Sequence, residues 1–141
     1  MASVSFVVHG EPVAQGRPKF TTRGGFARAY DPPKSKHYKQ TVACVATEAM
    51  NGREPFKGAC NMLLRAFFAM PKSMHRRRTP TAATRKTTKP DISNVVKGVE
   101  DAISGIVYED DNLLYSVAAE KWWAAQGEQA SVQVSVWEEK H

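Results

Sequence analysis

The sequence predicts an α+β fold in which two helices pack on a mixed β-sheet, with a long basic loop in the middle of the chain. Two segments repeat apolar residues at helical spacing, four others read as strands by alternation or apolar density, and the two kinds are interleaved. With 141 residues and 42% hydrophobic content, the chain is sized for one core, so a single domain over residues 1–141 is expected.

Ser3 to His9 is rich in Val and Phe and alternates, which suits a first strand. From 10 to 34, Gly10, Pro12, Gly16, Pro18, Gly24, Gly25, Pro32 and Pro33 punctuate turns and short hairpin arms. A helix follows Pro33, with Ser35 as its expected N-cap. Tyr38, Val42, Val45, Ala46 and Ala49 form its apolar stripe, and Asn51-Gly52 ends it. Ala59 to Met70 reads as a largely buried strand. Residues 71–90 carry seven Lys/Arg, no acid and three prolines, so they offer no face to a core and a mobile, exposed loop is expected.

A second helix is marked by Ile92, Val95, Val96, Val99, Ala102, Ile103 and Ile106, recurring at spacings of three and four. Asp91 stands at its start, where a carboxylate is favoured by the helix dipole and can cap free N–H groups. The acidic turn Glu109-Asp110-Asp111 leads into a strand from Leu113 to Ala124. Gly127 marks a turn, and Val132, Val134 and Val136 alternate with polar residues in the last strand.

Charge is divided unevenly. Residues 1–90 hold 17 Lys/Arg against 4 Asp/Glu, and residues 91–141 hold 3 against 10. A polyanion partner explains the first part, and the second needs another reason for its acid. Several classes drop out. No apolar run reaches the roughly 18 residues of a membrane span, and the N-terminus lacks the basic and apolar segments of a signal peptide, so no membrane role is expected. Gly24-Gly25 has no Walker-type continuation, which argues against a nucleotide cofactor. His9, His37, His75 and His141 are too scattered for zinc. Cys44 and Cys60 lack metal-like spacing and are expected as small core residues of a reduced, cytoplasmic protein.

The acids suggest chemistry if they converge. Asp91, Asp110 and Asp111 together would repel one another unless a cation relieved them, and Mg²⁺ takes such carboxylates together with phosphate oxygens. Lys97, on the helix face shared with Asn94 and Asp101, would hold a phosphate or stabilise the transition state. The same residues also suit a helix cap, a solvated face and a turn. A helix of about 16 residues separates its ends by about 24 Å, so the acids would meet only if the chain ran back or across a dimer.

The run Lys89-Pro90-Asp91-Ile92-Ser93-Asn94-Val95-Val96-Lys97, continuing through Glu100-Asp101-Ala102 to Asp110-Asp111, resembles the signature of the RusA-type Holliday junction resolvases. The family pattern is Pro-Asp-x-Asp-Asn-x-x-Lys, then Asp-Ala, then Asp-Asp. Residues 10–20, GEPVAQGRPKF, and Met70-Pro71-Lys72-Ser73 are similar to segments of phage and prophage members. The resemblance implies a homodimeric, Mg²⁺-dependent endonuclease (Mn²⁺ being an alternative) that nicks four-way DNA junctions in pairs, in the cytoplasm of a bacterial host. It implies Asp91, Lys97 and Asp111 as catalytic residues, Asp91, Asp110 and Asp111 as metal ligands, and Asn94 as the signature asparagine. Basic candidates for DNA contact are Arg17, Lys19 and Arg23, with Arg28 beside them, in the N-terminal arms. In the loop they are Lys72, Arg76, Arg77, Arg78, Arg85, Lys86 and Lys89. One departure stands out: Ser93 occupies the position of the family's second aspartate. Either serine acts through water, or Asp110 replaces the missing carboxylate, or the chain is a non-catalytic junction-binding protein with an impaired metal site.

Overall fold

The computed structural model describes residues 2–16, 19–21, 28–30 and 32–139. The elements run β1 (Ser3–His9), β2 (Lys19–Thr21), β3 (Arg28–Tyr30), α1 (Pro33–Met50), β4 (Cys60–Phe68), β5 (Thr84–Arg85), α2 (Ile92–Ile103), β6 (Leu114–Trp123) and β7 (Ser131–Glu138). Short 3₁₀ turns occur at Lys72–Met74 and Asp111–Leu113. The main sheet has the order β1-β7-β4-β6-β5, and β2 and β3 form a separate antiparallel pair. In the main sheet β4 and β6 run parallel and the other pairs antiparallel. Two helices on a five-stranded mixed sheet make this an α+β fold, as the interleaved periodicities predict.

Strand alternation decides which face is covered. Val4, Phe6 and Val8 of β1, Met62, Leu64 and Ala66 of β4, and Val132, Val134 and Val136 of β7 point to one side and are buried. There they meet Val42 and Ala46 of α1 and Val95 and Val99 of α2 in one cluster. Each fully buried Val or Leu contributes roughly 1.5–3 kcal/mol, so this layer carries the fold. The opposite face is polar in part: Ser5 bonds Ser135 at 2.9 Å, and Arg65 pairs with Glu120 at 3.1 Å.

Four local expectations change. Pro32, not Ser35, is the N-cap of α1. Ser35 lies inside the first turn, buried, where its hydroxyl accepts from Gly16 N–H and donates to Ala14 O. Its oxygen anchors the segment after β1 and is therefore not spent on its own helix. Cys44 is exposed on α1 rather than in the core, while Cys60 is buried. The basic segment contributes β5 to the sheet edge through Thr84↔Trp123 and Arg85↔Trp122. The fourth change is at Asp91 and belongs to the site.

One edge of the main sheet is largely open. β5 covers only the last two residues of β6. Among the described residues no strand pairs with the rest of that edge, and Tyr115 and Val117 are 63% and 40% exposed. Lys121 O accepts from Lys86 N–H on the β5 side, so by the two-residue period the backbone groups of Ala119 and Val117 face the same, open side.

Candidate active site

Asp91 is the N-cap of α2 with extended backbone (φ −65°, ψ 140°), but its side chain makes no cap hydrogen bond. Only its carbonyl takes part, accepting from Asn94 and Val95 N–H. The expected capping role is therefore not filled, and the exposed carboxylate stands uncommitted at the positive end of a helix. Ser93, Asn94 and Lys97 are exposed on the next turns of the helix. Lys97 Nζ lies 3.2 Å from Asp101 Oδ1, and Asp101 Oδ2 lies 3.6 Å from Lys39 of α1. The hydrogen bond that Lys97 donates to Asp101, followed by the negative charge of that carboxylate, holds the Lys97 ammonium above the usual lysine range.

Asp110 and Asp111 stand at the other end. They come after the last turn of α2, where Gly105 takes φ +84° and lets the chain reverse. Asn112 donates to Asp110 Oδ2 at 2.8 Å. Burial raises the Glu100 carboxyl, the charges of Asp111 and Asp101 raise it further, and Lys97 opposes them. The charge of Asp111 also helps to raise Lys97, so Asp111 is electrically linked to α2 from its middle, at Lys97, to Glu100. β6 then runs back until Lys121 meets the Pro90 carbonyl. Seven residue steps along the strand lead from Leu114 to Lys121, about 23 Å at 3.3 Å per step. Within one chain Asp91 and the Asp110-Asp111 pair therefore lie at opposite ends of β6. Among the described residues no three His, Cys, Asp or Glu gather in a group that could hold a metal ion.

Two lysines underlie Asp91, and only one was a sequence candidate. Lys121 Nζ donates to Thr88 O and to Pro90 O, both at 2.7 Å. Lys86 Nζ donates to Thr88 Oγ1 at 2.7 Å, to Thr88 O at 3.4 Å and to Lys89 O. Lys86 is 7% exposed, and its ammonium lies 4.1 Å from the centre of the Trp123 ring and 5.1 Å from that of Phe68. Burial, and then the charge of Lys121, push its pKa down, against the attraction of Glu11. This corrects the reading of Lys86 as a phosphate contact, because its charge is turned inward and is already bonded. A signal for Lys121 existed: Ala119, Lys121 and Trp123 share one face of β6, and a lysine between two core-facing residues needs internal acceptors.

The other loop cations point outward. Lys72, Arg76, Arg77, Arg78, Arg85 and Lys89 are all exposed. Gln126, absent from the sequence candidates, braces the segment. Its Oε1 accepts from Arg76 N–H at 2.8 Å and Thr81 N–H at 3.0 Å, and its Nε2 donates to Arg76 O at 2.9 Å. Arg17 and Arg23 lie outside the described residues, and Lys19 begins β2. Trp122 and Trp123 fall on opposite faces of β6. Trp123 meets Phe68 edge-on at 6.5 Å, and Trp122 Nε1 donates to Glu120.

The model of the family described as endodeoxyribonuclease RusA matches residues 9–135. The chain belongs to the RusA endodeoxyribonuclease family. It is thus a hydrolase acting on DNA. It is also similar to the uncharacterized protein YqaN of Bacillus subtilis (strain 168), with 37% identity over 131 residues, covering 89% of this chain and 92% of the relative. The RusA match runs from the last residue of β1 into β7 and takes in both helices, β4, β5 and β6, together with Asp91, Lys97, Asp110 and Asp111. No helix among the described residues is long and apolar enough to cross a membrane.

Proposed function

We propose that this RusA-family chain resolves four-way DNA junctions by paired nicking and that its active sites form between two copies. The observation that carries this reading is the separation of Asp91 from Asp110-Asp111 along β6, a strand whose edge is open. Two β6 edges paired antiparallel about a twofold axis would oppose the start of one strand to the end of the other. β5 and the Lys86–Pro90 turn would limit that pairing, so the acidic turn ahead of one β6 would abut Asp91 of the second copy. The pairing would also cover backbone groups that are otherwise a hazard for uncontrolled association.

The donors suit a hard cation. Asp91 of one copy with Asp110 and Asp111 of the other would supply the carboxylate oxygens that Mg²⁺ prefers, with Mn²⁺ as an alternative. Once bound, the ion would lower the pKa of a water and neutralise charge on the scissile phosphate. The chain's own cations have separate tasks. Lys97 would hold a non-bridging phosphate oxygen, and Arg76, Arg77 and Arg78 would track the backbone of the arms. A twofold pair presents these groups twice on one substrate, which suits symmetric nicks.

Ser93 favours a second reading, a junction-binding protein that does not cut, because it leaves the site one carboxylate short of the family pattern. Incubation of a labelled synthetic four-way junction with and without Mg²⁺, beside Asp91→Asn, separates the two. Metal-dependent paired nicks that vanish in the variant support the nuclease. Intact junction binding with no nick in the presence of Mg²⁺, or of Mn²⁺ in its place, supports the binding protein.

A further inference from the structure

The turn before Asp91 is held in an unusual way. Thr88, Lys89 and Pro90 present three successive carbonyls outside any helix or strand, and two ammonium groups bond all three. Neutral donors such as Asn or Ser would satisfy the same oxygens without removing a charge from water. Among the described ion pairs, neither lysine has a carboxylate partner. Charge-assisted bonds are roughly twice as strong as neutral ones, and the indole face of Trp123 offsets part of the lost hydration of Lys86. Lys86 is also tied to β6 through its backbone, its N–H donating to Lys121 O at 3.1 Å. The two lysines therefore couple the turn to β6, the strand that carries Lys121 and Trp123.

We propose that Lys121 and Lys86 are positioning residues for Asp91, their ammonium groups clamping the three carbonyls ahead of it and so fixing where its carboxylate stands. This rests on the reading of Asp91 as a metal-binding acid. A metal ligand must be held to within a few tenths of an ångström, and losing an outer support costs about 10–100-fold in metal affinity or activity. Lys121→Met removes two of the clamp's bonds at a half-buried position. Lys121→Arg keeps the charge and offers two donors to the same pair of oxygens.

The test reads three quantities on the full chain: the Mg²⁺ concentration giving half-maximal junction nicking, metal-free junction affinity, and amide exchange of peptides spanning residues 87–95. For Lys121→Met the expected result is a rise in the Mg²⁺ requirement of about tenfold or more, unchanged metal-free affinity, and faster exchange confined to that span, with Lys121→Arg restoring most of each. Lys86→Met should move the same readouts in the same direction. An unchanged Mg²⁺ requirement with unchanged exchange overturns the proposal. So does a loss of metal-free affinity without a metal effect, which would make Lys121 a phosphate contact. If the wild-type chain nicks under no metal, the nuclease reading fails by itself, and exchange over 87–95 still decides whether the clamp exists.

Discussion

Asp101 Oδ1 lies 3.2 Å from Lys97 Nζ one turn along α2, while the other oxygen of the same carboxylate faces Lys39 of α1 at 3.6 Å. Asp101 thus holds the lysine expected to meet phosphate and at the same time fastens the two helices together. The pairing raises the pKa of Lys97 above its unfolded value. Its stabilising effect is therefore full below the unfolded lysine pKa and is lost as pH rises through the folded one. Asp101→Asn should move the alkaline limb of the pH–rate profile to lower pH and leave the rate near pH 7 close to wild type. Lys97 is half exposed, so the stability lost with this pair should be only about 0.3–0.5 kcal/mol. A pH–rate profile beside a denaturation curve checks both.

The exposed arginines of the basic segment should show themselves through salt. Single Arg76→Ala, Arg77→Ala or Arg78→Ala substitutions should each reduce the slope of log affinity against log salt by about 0.9 if the side chain neutralises one phosphate. Stability should stay within about 0.5 kcal/mol, since all three are exposed. Gln126→Ala provides the contrast. It removes no charge but releases both backbone groups of Arg76, so affinity should fall while the slope holds. Filter binding of a labelled junction over a range of salt concentrations measures both quantities.

The fold was legible in the sequence because its signals are periodic and local. Val132, Val134 and Val136 alternate, the stripe through Val95 and Val99 keeps helical spacing, and both patterns survive as the buried face. What stayed hidden depends on long-range partners. Ser35 looks like a cap until Gly16 and Ala14, about twenty residues earlier, claim its hydroxyl. Lys86 looks like one more loop cation until Trp123 and the Thr88 and Lys89 oxygens enclose it. The acids at 91, 110 and 111 could be chosen from sequence, and the helix between them already implied their separation; that the edge of β6 stays open depends on strand pairing, which residue spacing does not encode.

Ser93 is exposed on the first turn of α2, two residues after Asp91. A carboxylate there would sit near the helix N-terminus, where the dipole favours it by about 0.3–1 kcal/mol, so Ser93→Asp should fold at least as well as the parent. If serine works through water, the variant should cut at a similar rate and need less Mg²⁺. A gain of a hundredfold or more in nicking rate would instead show that the parent site is impaired. Single-turnover nicking over a Mg²⁺ series distinguishes these outcomes.

The two-copy site makes a prediction that a one-chain site does not share. Asp91→Asn and Asp111→Asn, each alone, should abolish nicking while leaving junction binding intact. Mixed and allowed to exchange subunits, they form a heterodimer in which one site carries both substitutions and the other carries neither. About half of the dimers in an equal mixture should be of this kind, each with one working site, so single nicks should reappear while paired nicks stay absent. If all the acids of a site came from one chain, every site in the mixture would keep one substitution and nicking would not return. Val117→Pro tests the same interface from the backbone. Its N–H faces the open edge, where proline is tolerated within a folded chain, so the protein should remain folded, sediment as a monomer and fail to cut.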